Sequence, residues 1–138
     1  MALGRSRGLQ TRILVGRHGR LHDALGRALA YLGAHYEEPI TLAQLASHAG
    51  VSPSHMGYLF RTSIGMPFKV LLGHIRIQKA RELLAEDPAS NVTEIALRVG
   101  YADLSHFERR FRRIVGQSPR EFRRGVGNQT AERRVAAH

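Results

Sequence analysis

Apolar residues recur along this chain with helical spacing, and no segment alternates with a period of two for long enough to form a strand. In "LHDALGRALAYLGAHYEEP", Leu21, Leu25, Ala28, Leu29, Leu32 and Tyr36 line one face of a helix that must end before Pro39. "ITLAQLASHAG" comes next. Thr41 and Gln44 have capping-box spacing, Leu42, Leu45, Ala46 and Ala49 form a stripe, and Gly50 suits the position just past a helix end. Ser52 caps a further helix with Pro53 in its first turn, ending at Gly65. Pro67 opens a longer helix whose apolar face is Leu71, Leu72, Ile75, Ala80, Leu83 and Leu84; roughly 18 residues of it would span about 27 Å.

After the turn "EDPASN" the scheme restarts. Asn91 and Glu94 repeat the capping spacing, Ile95, Ala96 and Val99 the stripe, and Gly100 the stop. Asp103 caps a helix running to about Val115, closed by Gly116. Ser118, Pro119 and Glu121 start a short last helix, and the tail after Gly125 is expected to be disordered. The expected class is all-α, with about seven helices.

The two halves align residue by residue. Up to the glycine the offset is 50: Thr41 meets Asn91, Gln44 meets Glu94, Ala46 meets Ala96, Gly50 meets Gly100. Past it the offset is 51: Ser52 meets Asp103, His55 meets His106, Met56 meets Phe107, Phe60 meets Phe111, Gly65 meets Gly116. One extra residue in the second turn accounts for the change. Each half is a short helix, a tight turn containing glycine, and a second helix, which is the helix-turn-helix layout. Ala46 and Ala96 fall where two helices cross closely, and the glycines allow positive φ. A solenoid is disfavoured, because the long helix interrupts regular stacking and two units are few.

Composition narrows the function. The chain holds no cysteine, hence no disulfide framework, thiolate nucleophile or Cys-ligated metal. No apolar run reaches membrane-span length and the N-terminus has no apolar signal core, so a soluble cytoplasmic protein is expected. The net charge of +10 favours a polyanion. It sits largely at the ends: residues 1–20 carry five arginines and no acid, residues 120–138 five arginines against Glu121 and Glu132. Residues 21–119 are left nearly neutral, so a nucleic-acid face must come from local placement. Only Lys69 and Lys79 are lysine, a bias that suits phosphate and guanine and that genome composition also produces.

On a helical wheel Phe107, Phe111, Ile114 and Val115 face inward, while Ser105, Glu108, Arg109, Arg112 and Arg113 face outward. In the first unit Met56, Phe60, Ser63 and Ile64 face inward, and Ser54, Gly57, Tyr58, Arg61 and Thr62 outward. "ERRFRR" alone would pass for a solvated face with Glu108 and Arg112 as an i,i+4 pair. On the second helix of a helix-turn-helix it becomes a major-groove surface. There Arg109 can fork onto guanine O6 and N7, and Arg112 and Arg113 reach phosphates. His55 and His106 are single histidines without acidic companions, so no metal site is expected. No Ser/His/Asp set, carboxylate pair or phosphate-cradling glycine loop is present, so no catalytic residues or cofactor are expected.

Three stretches, "ITLAQLASHAGVSPSHMGYLFR", "IRIQKARELL" and "VTEIALRVGYADLSHFERRFRRIVGQSPREFRR", resemble the DNA-binding domain of the AraC/XylS family of bacterial transcription regulators across about residues 22–125. The resemblance implies two homeodomain-like helix-turn-helix subdomains joined by a long central helix. The corresponding segments are a flexible basic arm or linker at 1–20, a first subdomain at 21–66, the central helix at 67–86, a second subdomain at 87–125 and a disordered tail at 126–138. It also implies that recognition helices at about 53–64 and 103–115 enter adjacent major-groove segments of double-stranded DNA. In those terms Ser54, Gly57, Tyr58, Ser105, Glu108 and Arg109 are the base readers, and Thr41, Arg61, Asn91 and Arg112 contact the backbone. Three residues depart from the family pattern. Tyr58 stands where a long polar residue is usual, Leu104 replaces a commonly polar residue, and Met66 precedes the central helix where Ser or Thr is common. Most members carry an effector or dimerisation domain ahead of this unit; twenty Arg/Gly-rich residues cannot bury a ligand, so no small-molecule effector site is expected here. A stand-alone regulator and a piece of a longer protein both fit. RNA polymerase is a candidate partner, and a module that contacts polymerase or a partner regulator without reading DNA is the alternative.

Overall fold

A computed structural model describes residues 19–136. Most of the basic arm expected over 1–20 lies outside the described residues. Those described form seven helices and no strand: α1 (Gly19–His35), α2 (Leu42–Ala49), α3 (Pro53–Leu59, continued by a π-helical turn Phe60–Ile64), α4 (Phe68–Glu86), α5 (Val92–Arg98), α6 (Leu104–Val115) and α7 (Pro119–Ala136).

Five of the helix starts, those of α2, α3, α5, α6 and α7, are set by side chains that accept a backbone N–H left over at the N-terminus. Thr41 Oγ1 takes Gln44 N at 3.1 Å while Gln44 Oε1 takes Thr41 N at 2.9 Å, a complete capping box. Ser52 Oγ accepts from His55 N, and Asp103 Oδ1 from His106 N. Asn91 Oδ1 accepts from Glu94 N at 2.8 Å, without the return bond from Asn91 N to the Glu94 carboxylate that the spacing suggested. A second complete box closes the start of α7, between Ser118 and Glu121.

The repeat reappears in the hydrogen bonds of the turns. Val51 N donates to Ala46 O and Tyr101 N to Ala96 O, both at 3.0 Å. Gly50 and Gly100 stand at φ +80° and +106°, which only glycine adopts cheaply. Ala102 is the additional residue before the second cap, and it produces the shift from offset 50 to 51.

The chain divides into two compact units. Among the described residues the first comprises 19–35 and Ile40–Leu71, the second Tyr36–Pro39 and 72–136. Leu25, Leu32, Leu45, Met56 and Phe60 are buried in the first. In the second, Ile77, Ala80 and Leu84 of α4 pack with Val92, Ile95, Val99, Tyr101, Phe107 and Phe111. The helix at 67–86 is therefore not a separate linker. Its first turn belongs to the first unit, and Ile77, Ala80 and Leu84 further along it pack into the core of the second. The segment Tyr36–Pro39 joins the second unit because Arg76 binds it, donating from Nε to Tyr36 O (2.6 Å) and from Nη2 to Glu38 O (2.8 Å).

The disordered tail expected over 126–138 is corrected for residues up to Ala136, where α7 ends. A helix stop of the kind seen at Gly116 needs positive φ, and neither Gly125 nor Gly127 has it. Each glycine costs the helix about 1 kcal/mol relative to alanine, but one further backbone bond per residue carries it into the good helix formers Gln129, Ala131, Glu132 and Arg133.

Candidate nucleic-acid interface

In the second unit the wheel holds throughout α6. Phe107 and Phe111 are fully buried, with ring centroids 5.7 Å apart, and Tyr101 and Phe122 extend the aromatic cluster on either side. This anchors the inner face and fixes the roll of the helix. Ser105, Arg109, Arg112 and Arg113 are exposed and Glu108 is half-exposed, so the five predicted contact residues of this helix share its outer face. Arg109 and Arg113 make no hydrogen bond or ion pair with the described residues, leaving their guanidinium donors open. Arg112 is engaged: its Nη2 lies 3.2 Å from Glu121 Oε1 rather than pairing with Glu108. Both partners are largely exposed, and such a pair is weak enough to be exchanged for a phosphate. The Glu121 carboxyl is held below its usual range chiefly by hydrogen bonds from Ser118, with Arg112 and Arg124 adding to the effect.

Other arginines are committed to the fold. Arg27 donates to Ala49 O from Nε (3.2 Å) and Nη2 (2.6 Å), satisfying a carbonyl at the end of α2. Arg123 does the same for Leu84 O and Asp87 O at the end of α4. Arg110, between the outward arginines in sequence, lies near Tyr101, whose phenol is pushed up by burial while the positive charges of Arg110 and Arg76 pull the other way. Its guanidinium lies against Gly73, where a Cβ would sit 2.5 Å from Nη2. Composition alone did not separate these arginines from those on the outer face. The usable signal was register: Arg110 falls off the outward stripe of α6.

The first unit presents a different surface. Ser54 and Tyr58 are exposed on α3 and Gly57 is half-buried. Past Leu59 the α-helical wheel no longer applies, because Gly65 N bonds Phe60 O, five residues back, at 2.8 Å. The recognition helix expected over 53–64 is thus α-helical only to Leu59. The matching bond in the second unit is an ordinary four-residue one, Gly116 N to Arg112 O. The sequences differ here, "RTSI" against "RRIV", and Thr62 Oγ1 donates to Tyr58 O at 2.8 Å. Arg61 and Thr62 are exposed on this π-helical turn.

Thr41 and Asn91 sit at the starts of α2 and α5, exposed, with their side-chain oxygens occupied by capping. The Thr41 hydroxyl hydrogen and the Asn91 amide nitrogen are what they can still donate to a phosphate. His55 stacks on Tyr58 (6.2 Å, 24°) and His106 meets the Tyr101 ring edge-on (5.2 Å), and no group of three metal-ligating residues exists among the described residues. No helix among them is long and apolar enough to cross a membrane.

A family model described as a helix-turn-helix domain matches residues 45–125. The HTH-type transcriptional regulator GlxA of Rhizobium meliloti (strain 1021) is 37% identical over 112 residues, covering 81% of this chain and 34% of that protein. The chain spans between 15% and 34% of the length of such curated relatives. Among solved structures, a transcriptional regulator of the AraC-type DNA-binding-domain class from Chromobacterium violaceum superposes with a TM-score of 0.71 at 27% identity, over 75% of this chain and 91% of that one. The DNA-binding domain of AdpA, a global transcriptional factor solved in complex with a target DNA, gives 0.72 at 28% identity, over 78% and 96%.

Proposed function

The chain belongs to the AraC-type helix-turn-helix family, and from that premise we propose that it is a sequence-specific double-stranded DNA-binding transcription regulator, acting in the bacterial cytoplasm at the nucleoid. Helices α3 and α6 enter adjacent major-groove segments of one site. The observation that carries this reading is the outer face of α6: Arg109 and Arg113 stand exposed and unengaged on the second helix of a helix-turn-helix whose inner face is locked by Phe107 and Phe111. Arg109 forks onto a guanine, Ser105 and Glu108 read neighbouring positions, and Arg112 and Arg113 bind phosphates. In the first unit Ser54 and Tyr58 face bases, with Thr41 and Arg61 on the backbone. Asn91 plays the part of Thr41 in the second unit. The similarity to a domain solved on its target DNA supports the reading. The role involves no catalysis.

Selection from a random DNA pool, followed by footprinting, tests it. The expected result is an enriched site with two protected segments about 10 bp apart. Binding should weaken steeply with salt, as phosphate contacts release counterions. A protein that contacts RNA polymerase or a partner regulator without reading DNA would enrich no sequence, and that result would overturn the proposal.

A further inference from the structure

Position 58 in the first unit corresponds to position 109 in the second, and the two side chains differ in kind. Arg109 offers a planar fork of donors. Tyr58 is a large aromatic ring, 53% exposed, on a helix whose neighbouring outward residues, Ser54 and Gly57, carry no bidentate donor. Asn, Gln, Arg and Lys read adenine or guanine in pairs of hydrogen bonds, and α3 has none of them outward. What α3 does offer is apolar contact, and the only apolar group a base shows in the major groove is the thymine C5-methyl. The ring is also held in place: His55, one turn earlier, stacks against it at 6.2 Å and 24°. Gly57 beside it carries no side chain, and the Arg61 guanidinium lies over that space, 3.4 Å from where a Cβ would be.

We propose that the first unit selects thymine by its methyl group, through Tyr58, while the second selects guanine through Arg109. The inference rests on the DNA-binding reading above and gives the two half-sites different base chemistries. Arg61, on the π-helical turn, then serves the phosphate and not the base.

Deoxyuridine substitution tests it. From the selected site, the half whose preference collapses in Arg109→Ala belongs to the second unit, which identifies the other half as the first unit's. Each thymidine is then replaced singly by deoxyuridine, which removes the methyl and keeps every hydrogen-bonding group. At one position in the first unit's half, affinity should fall roughly fourfold, the effect of one buried methyl. In the second unit's half no such position is expected. Tyr58→Ala should lose the distinction between thymidine and deoxyuridine, and Tyr58→Phe should keep it. Indifference to deoxyuridine throughout the first half, or a methyl effect that survives in Tyr58→Ala, overturns the inference and leaves DNA binding intact. Loss of affinity in Tyr58→Phe without any methyl effect would make the hydroxyl the reader and overturn it as well. Absence of any enriched site overturns both readings together.

Discussion

At the scale of single residues, the main distinction lies between arginines that hold the fold and arginines that stand free. Arg27, Arg76 and Arg123 each close on two acceptor contacts from backbone carbonyls at helix ends or in a loop. Nothing in the local sequence marks them, because the carbonyls they serve lie 22 to 40 residues away. The glycines are easier to read, since position relative to a cap fixes their role. Gly100 stands at φ +106°, and a Cβ there would lie 2.8 Å from Arg76 Nε and 3.0 Å from Glu37 O. Arg76 cannot retreat without losing its bonds to Tyr36 and Glu38. Gly100→Ala should therefore cost more than about 1 kcal/mol in urea unfolding. Gly26→Ala, inside α1 with nothing within 4 Å, should stabilise by about 0.5–1 kcal/mol. Acid should expose another local contact. The Asp87 carboxyl is held below its ordinary value of 3.8, first by the Ser90 hydroxyl and then by Arg98. A lowered folded value means the contact stabilises at neutral pH and is lost as pH falls through that value. The gap in unfolding midpoint between the parent and Asp87→Asn should hold steady from about pH 8 to pH 5 and shrink below about pH 4.

At the scale of elements, the helix starts were legible because a cap is local: Thr41, Ser52, Asn91, Asp103 and Ser118 all lie within three residues of the N–H they accept. Two ends were not legible. The π-helical turn at Phe60–Ile64, beside which Thr62 Oγ1 bonds Tyr58 O, leaves no mark on a wheel. The continuation of α7 depends on Gly125 and Gly127 keeping ordinary φ, which composition cannot indicate. The cap of α6 bears most directly on the proposed function, since it orders the half-helix that carries Ser105, Glu108 and Arg109. Asp103→Ala should cost about 1 kcal/mol of stability and weaken specific DNA binding, while Asp103→Ser should restore both. Thermal unfolding and binding isotherms on the same samples would check this.

At the scale of the whole molecule, the inner residues of the two halves agree and the outer ones diverge. Met56 and Phe107 are both fully buried, as are Phe60 and Phe111 to within 1% exposure, whereas Tyr58 and Arg109 share a position and no chemistry. The repeat was visible in sequence because packing against a tight turn tolerates few substitutions. The division of α4 between the units was not, because an apolar stripe does not say which core it fills. The net charge of +10 supplies attraction to any DNA, and specificity must come from the few side chains that reach bases. The most direct measurement is the affinity of the parent and of folded Arg109→Ala for the selected site and for random DNA at one salt concentration. The account predicts a loss of about 1–3 kcal/mol on the selected site and little change on random DNA. An equal loss on both, or no loss on either, would contradict it.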